Sequence, residues 1–361
     1  MYLKSIHLLN FKNYTDAHFQ FTERINCLVG LNGVGKTNLL DAIYYLSMCK
    51  SYFNHSDQLN INHQADFFAI HGSFEFIDIE GETKVSCIQK SNSRKIFKFN
   101  QKEYTRLSDH IGILPSVMIS PYDSDYINGS SESRRKYFDS VIAQYDKIYL
   151  DTLIQYNKVL LQRNVLLKQF CEKGCYDQDA IDIWNDKLLD YGTSIYQTRC
   201  KFIENFYPVF KKYFSDLSPQ TENVSIEYES KLHSGAFADL LADAKQKDMA
   251  LQYTSVGIHK DDYLFFMNGY PVKKFCSQGQ QKTLLIALKL AHFEYLKIIK
   301  KVNPLLLLDD VFDKLDDTRV AYLTSMVANE HFGQVFISHT QKNRMEELFH
   351  PKGISYCLHE L

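Results

Sequence analysis

The sequence has no long apolar run. None of its 361 residues lies in a stretch approaching the roughly 18 consecutive apolar residues that a membrane-crossing helix needs. Its first residues, MYLKSIHLLNFKNY, alternate apolar and polar side chains and lack the continuous apolar segment of a secretory signal. These absences predict a cytoplasmic chain with no membrane partner. The eight cysteines are scattered at positions 27, 49, 87, 171, 175, 200, 276 and 357, with no C-x-x-C pair to hold zinc. That spacing predicts reduced, buried thiols rather than a disulfide framework. Excess charge is missing too. A net charge of −2 gives no global pull toward nucleic acid, so DNA contact must come from local basic patches. There is no internal repeat and no low-complexity tract. What remains is 45% hydrophobic and 23% charged residues, a mix that can bury a sizeable core in one large domain or two smaller ones.

The first 30 residues alternate as strands do, with a turn at Lys12-Asn13-Tyr14, and end in Ile25-Asn26-Cys27-Leu28-Val29. From Thr37 to Leu46, Leu39, Leu40, Ile43 and Leu46 share one helical face. Residues 68 to 105 read as strands again, separated at Gly81-Glu82 and Ser91-Asn92. Between about 116 and 245, Leu150, Leu153, Tyr156, Leu160 and Leu161 recur at helical spacing, and glycine and proline are sparse. This reads as several helices, too short for an extended coiled-coil arm. Strand pattern resumes after about 250. A long helix over 278–300, an apolar strand at Leu305–Leu308, a helix near 317–329 and a buried strand at Val335–Ile337 follow. The expected organisation is an N-terminal α/β half over 1–115, a helical insertion over 116–245, and a C-terminal α/β half over 246–361. Both halves carry parts of one chemistry, so they must fold together.

That chemistry begins at Gly30-Leu31-Asn32-Gly33-Val34-Gly35-Lys36-Thr37, which satisfies G-x-x-x-x-G-K-[ST] at every defined position. In such a loop, glycines let backbone N–H groups turn inward around a phosphate, and the following helix presents its positive end. Lys36 is expected to reach the β- and γ-phosphates of ATP and the Thr37 hydroxyl to bind Mg²⁺; Asn38 joins the expected nucleotide-binding set. A Gly-rich turn before a helix is the bland alternative, but the apolar strand before the loop and the apolar-faced helix after it favour the phosphate site.

Leu305-Leu306-Leu307-Leu308-Asp309-Asp310 is an apolar run ending in two carboxylates. Four leucines could start a helix; Pro304 before them and the acidic stop after them favour a strand. Paired with the phosphate loop, Asp309 is expected to hold Mg²⁺, partly through water, and Asp310 to polarise the attacking water. Most ATPases of this kind carry Glu at the second position, and the shorter carboxylate predicts slow hydrolysis. Ser277 and Gln280, in Cys276-Ser277-Gln278-Gly279-Gln280-Gln281-Lys282, fit a capping box opening a helix. The same residues resemble the ABC ATPase signature motif, in which Ser277, Gln278 and Gly279 would face the γ-phosphate of a nucleotide held by another subunit. One chain would then be unable to complete its own site. Asp313-Lys314-Leu315-Asp316 resembles the loop that crosses such a dimer interface, and Ile337-Ser338-His339-Thr340 a strand-plus-histidine γ-phosphate switch with His339 as sensor.

Further segments resemble the RecF family of bacterial repair ATPases along nearly the whole chain. They are Ser120-Pro121-Tyr122-Asp123, Gly129-Ser130, Arg134-Arg135, Phe138-Asp139, Leu161-Gln162-Arg163-Asn164, Gly257-Ile258-His259-Lys260-Asp261-Asp262 and the Ser277-Gln278-Gly279-Gln280-Gln281 form of the signature. The resemblance implies an ABC-type P-loop ATPase head assembled from the two terminal halves, with an inserted helical lid. It also implies an ATP-dependent homodimer that closes on duplex or gapped DNA without sequence preference. RecR, and RecO with it, would be partners in loading RecA at single-strand gaps. Tyr122 stands where the family pattern has Glu, and Tyr52-Phe53-Asn54 lacks the arginine usual there. Local charge marks Arg94, Lys95, Lys98, Lys102, Arg134 and Arg135 as candidate DNA contacts. A transporter's nucleotide-binding subunit and an ATP-dependent scaffold without turnover are the competing readings.

Overall fold

Alternation in the first twenty residues builds a hairpin: Tyr2–Phe11 pairs antiparallel with Tyr14–Gln20 through a turn at Lys12 and Asn13. Leu3, Ile6 and Leu8 point to one face and are fully buried. Described in the computed structural model are residues 1–76, 79–218, 222–312, 317–328 and 331–361. By packing, the chain forms two units: residues 1–123 with 286–361, and residues 124–285.

In the first unit the hairpin heads a six-stranded antiparallel sheet, continuing through Phe67–Phe76, Ile79–Lys90, Ile96–Phe99 and Lys102–Glu103. Gly81 and Glu82 lie inside the strand Ile79–Lys90, not between strands as expected. Phe76 pairs with Ile79 and Glu75 with Glu82, so Gly81, at φ 91°, takes up a slip in register. The second sheet of this unit is parallel, in the order Cys357–Glu360, Ile25–Val29, Val335–His339, Leu305–Leu308, Ser116–Ile119. Leu305–Leu308 is a strand after all: it is buried throughout between two parallel neighbours, where apolar bulk matters more than β-branching. The helix Lys36–Met48 is buried along nearly its whole length and shares a core with residues of both sheets, among them Leu8, Phe68, Met118, Leu307 and Phe336. Its buried Asp41 is satisfied by the Ser51 hydroxyl at 2.6 Å, the Tyr52 N–H at 2.7 Å and Lys12 at 2.5 Å.

The second unit has three long helices, Ser131–Ala143, Lys147–Lys173 and Gln178–Leu217, and a three-stranded antiparallel sheet of Tyr270–Pro271, Asp262–Met267 and Val224–Glu229. The packing division thus differs from boundaries at 116 and 245. Ser116–Ile119 is a strand of the parallel sheet, and Asp262–Met267 is tied by register to Val224–Glu229. Buried ion pairs brace this unit. Arg199 sits 2.9 and 3.0 Å from the two carboxylate oxygens of Asp139 and 3.3 Å from Asp261. Arg163 pairs with Asp248 at 2.8 Å. His259 is hydrogen-bonded to Tyr156 at 2.7 Å, and burial pushes its imidazole down to about 4.

All eight cysteines are free. Cys27, Cys49 and Cys87 are buried as expected, whereas Cys171 and Cys175 are exposed. They flank the end of the helix Lys147–Lys173, where the chain turns through Gly174, and the turn leaves both at the surface. Among the described residues, no helix is long and apolar enough to cross a membrane.

Candidate nucleotide-binding site

Parallel strands end on the same side of a sheet, so loops that leave their C-terminal ends converge there. Val29 pairs with His339, and Ile337 with Leu308. This register sets Gly30, Ser338-His339 and Asp309-Asp310 at one edge, although the strand Val335–His339 lies between the other two.

The loop from Gly30 to Gly35 runs into the helix at Lys36. Gly35 has φ 121°, and a Cβ there would lie 2.7 Å from the Tyr14 hydroxyl and 2.8 Å from Asn13 Nδ2. Both conformation and space therefore require glycine. Tyr14 and Asn13 support the loop from below: the Tyr14 hydroxyl donates to the Gly35 carbonyl at 3.1 Å and Asn13 Nδ2 to the Val34 carbonyl at 2.9 Å. Asn38 donates to Asn13 at 2.7 Å, so it braces the loop from the helix side. The hairpin turn carried no such signal in the sequence, because its bonds reach residues 21 or 25 positions away. Lys36, only 4% exposed, donates to the carbonyls of Gly30 at 2.8 Å and Leu31 at 3.0 Å. Leu31 projects from the loop, 78% exposed.

The Thr37 hydroxyl donates to Asp309 Oδ1 at 2.8 Å. Ser338, fully buried, lies 3.0 Å from the same oxygen and 3.2 Å from Asp310 Oδ1, and accepts the Asp310 N–H at 2.9 Å. Asp310 holds a left-handed backbone, φ 46°, a conformation Asp tolerates better than most residues when it has local hydrogen bonds. Burial raises the Asp309 carboxyl above its ordinary range, and the neighbouring Asp310 charge adds to this. Hydrogen bonds from Thr37 and Ser338, and the Lys36 charge, oppose the rise. Two adjacent carboxylates beside a threonine hydroxyl form an all-oxygen donor set that fits a hard divalent cation. Among the described residues no group of three or more His, Cys, Asp and Glu side chains could hold a metal alone. His339 is buried, its Nδ1 accepting the Gln341 N–H at 2.9 Å. Ser338 was legible only as part of the switch segment. Nothing in the sequence showed that it links both carboxylates.

Ser277, Gln278 and Gly279 belong to the other unit and are exposed. The capping box is formed: Ser277 N–H donates to Gln280 Oε1 at 2.9 Å, and Gln280 N–H to the Ser277 hydroxyl at 3.3 Å. Residues 313–316, the expected interface loop, lie outside the described residues.

The model of the RecF/RecN/SMC N-terminal domain matches residues 2–358. The chain is 47% identical over 361 residues to the DNA replication and repair protein RecF of Flavobacterium johnsoniae, covering all of both chains. It is 46% identical to that of Phocaeicola vulgatus, over 96% of this chain and 93% of the relative. This chain belongs to the RecF family. Its fold is that of a RecF/SMC-type ABC ATPase head. A solved structure of the recombination mediator protein RecF with ATPγS, described as part of the RecFOR pathway, superposes with a TM-score of 0.89 at 32% identity, covering 100% of this chain and 96% of that one. An SMC head bound to the C-terminal winged-helix domain of ScpA, at 16% identity and a TM-score of 0.55, shares the fold.

Several RecF-like motifs outside the nucleotide loop serve as scaffold here. Asp261 and Asp139 hold Arg199, and Asp262 holds Arg134 through two bonds of 2.7 and 2.8 Å. Of the candidate DNA contacts, Arg134 is buried, and Arg135 is half-buried and donates to the Asp261 carbonyl at 2.5 Å, with burial lowering its basicity. Lys95 also has partners within the fold. It pairs with Asp57 at 2.8 Å, donates to the Cys49 carbonyl at 2.7 Å and lies over the Tyr45 ring. Desolvating these cations would have been costly without such partners. Arg94 and Lys102 are exposed and Lys98 half-buried. The two departures from the RecF pattern turn out to be neighbours: the Phe53 and Tyr122 rings stand edge to face, 5.6 Å apart.

Proposed function

We propose that this chain is an ATP-dependent DNA-binding ATPase of recombinational repair. It would work in the cytoplasm as a homodimer that closes on ATP·Mg²⁺ and DNA and reopens on slow, DNA-stimulated hydrolysis. The observation that carries this reading is the continuous link from Thr37 through Asp309 to Ser338 and Asp310 at the mouth of the Gly30–Thr37 loop. Mg²⁺ held there would offset phosphate charge. Lys36 exchanges its two loop carbonyls for phosphate oxygens, Thr37 and Asp309 hold the cation's ligand sphere, Asp310 orients the attacking water, and His339 senses the γ-phosphate. Ser277, Gln278 and Gly279, at an exposed helix start, supply the second half of a partner's site. The family, and the mediator role described for the RecF structure, support partnership with RecR and RecO in helping RecA load at gaps. Exposed Arg94 and Lys102, with Lys98, offer phosphate contacts that would confer little sequence preference.

Sedimentation with and without ATP·Mg²⁺, repeated with duplex, gapped and single-stranded DNA, tests the proposal. A monomer-to-dimer shift that needs ATP and vanishes in Lys36→Ala is the expected result; a Lys36→Ala protein that still dimerises with ATP would overturn it. Steady-state phosphate release with and without DNA separates an ATPase from a scaffold without turnover.

A further inference from the structure

We propose that Phe53 and Tyr122 form a stacking platform for the purine base of the nucleotide whose phosphates occupy the Gly30–Thr37 loop. The inference rests on the nucleotide reading of that loop. Four aromatic rings lead outward from the loop's own helix. Tyr44, on that helix, packs edge to face on Tyr52 at 4.9 Å; Tyr52 packs on Phe53 at 5.3 Å, and Phe53 on Tyr122 at 5.6 Å. Tyr52 is anchored in turn, its hydroxyl bonded to Asp123 and accepting from buried Lys289 at 2.8 Å. The series ends in an exposed ring: Tyr122 is 69% accessible.

The same turn that braces the loop also touches this platform. Asn13 holds the Val34 carbonyl, and its neighbour Lys12 lies 5.3 Å from the centre of the Phe53 ring while pairing at 2.5 Å with Asp41 of the helix. Phosphate loop and rings are thus fixed to one rigid support. A tyrosine so held offers a flat face at low conformational cost, and stacking suits any base because every base presents a π-face. Two rings cover far too little surface for a stable protein interface, which takes roughly 800 Å² per partner.

Tyr122 is exposed enough for Tyr122→Ala to leave the fold intact. Calorimetric titration with ATP·Mg²⁺ and with tripolyphosphate·Mg²⁺, which lacks a base, reads the two halves of the site separately. ATP affinity should fall about tenfold in Tyr122→Ala, tripolyphosphate affinity should stay within about twofold of wild type, and Tyr122→Trp should restore ATP binding. Unchanged ATP affinity, or equal weakening of both ligands, would overturn the platform. Unchanged ATP affinity with weakened binding of a single-stranded oligonucleotide would reassign the rings to a DNA base and likewise overturn it. If Lys36→Ala bound both ligands as tightly as wild type, the phosphate reading of the loop itself would fail, a result distinct from any change confined to Tyr122.

Discussion

Ser338→Ala removes one oxygen from a fully buried position and little volume, so its effects trace to hydrogen bonds rather than to a cavity. Three contacts depend on that oxygen: the Asp310 N–H at 2.9 Å, Asp309 Oδ1 at 3.0 Å and Asp310 Oδ1 at 3.2 Å. The hydroxyl has a single proton and serves one carboxylate at a time, while the amide loses its acceptor in every case. An orphaned donor costs about 1–3 kcal/mol, and a hydrogen bond to a charged group contributes about 1.5–3 kcal/mol. Asp310 would then keep its left-handed backbone without its main support. Losing about 1.4–3 kcal/mol of Asp310 positioning corresponds to a drop in kcat of roughly ten- to a hundredfold. Affinity for ATP should change by less than about twofold, because the loop contacts of Lys36, Asn13 and Tyr14 are untouched. Phosphate release at saturating ATP, with nucleotide titration alongside, measures both. A double-mutant cycle with Asp310→Asn isolates the route: if Ser338 acts through Asp310, the second substitution adds almost nothing to the first. Unchanged kcat in Ser338→Ala, or fully additive losses in the cycle, would refute the reasoning.

Asp309→Asn should raise the melting temperature of the nucleotide-free protein at neutral pH while abolishing Mg²⁺-dependent hydrolysis. Burial raises the folded-state value of this carboxyl, so the ionised form costs stability that is fully present above that value and gone below the unfolded value of about 3.9. The advantage of the variant, followed by thermal melts across pH, should therefore shrink as pH falls toward about 4; a gain constant with pH would contradict it. Ser277→Arg should block dimerisation while sparing ATP binding by the monomer, and mixing it with Lys36→Ala should restore part of the hydrolysis, since one of the two composite sites in the heterodimer is then intact. Cysteines placed near Ser277 and Asn32 that fail to crosslink between subunits with ATP bound would sink the composite site. Arg199→Ala should cost about 3–5 kcal/mol by stranding Asp139 and Asp261. Lysine should rescue poorly at this bidentate position, as urea denaturation would show; a loss under about 1 kcal/mol would mean the network is not what holds the second unit.

The loop over 30–37 and the strand ending at Asp309 and Asp310 were legible from sequence alone, because local backbone needs set them: glycine where φ is positive, apolar bulk where a strand is enclosed. The helix over 278–300 and the capping box at Ser277 were legible for the same reason, being bonds between residues three or four positions apart. The lid motifs were readable as a resemblance, yet not as a role. Whether Arg134 meets a phosphate or Asp262 depends on a residue 128 positions away. Lys95 was equally opaque: it follows Arg94 in the sequence, and its partners Asp57 and Cys49 come from elsewhere in the fold. The strand at Cys357–Glu360 has no core periodicity to announce it and exists because Ile25–Val29 presents an edge to pair with. Ser338 between two aspartates and Phe53 against Tyr122 are likewise products of strand order and loop packing. Sequence determined the glycine-rich loop, the apolar strand with its acidic end and the helix cap; only the tertiary structure decided which charges are consumed as scaffold and which side chains meet, because burial and long-range pairing are properties of the fold rather than of any segment.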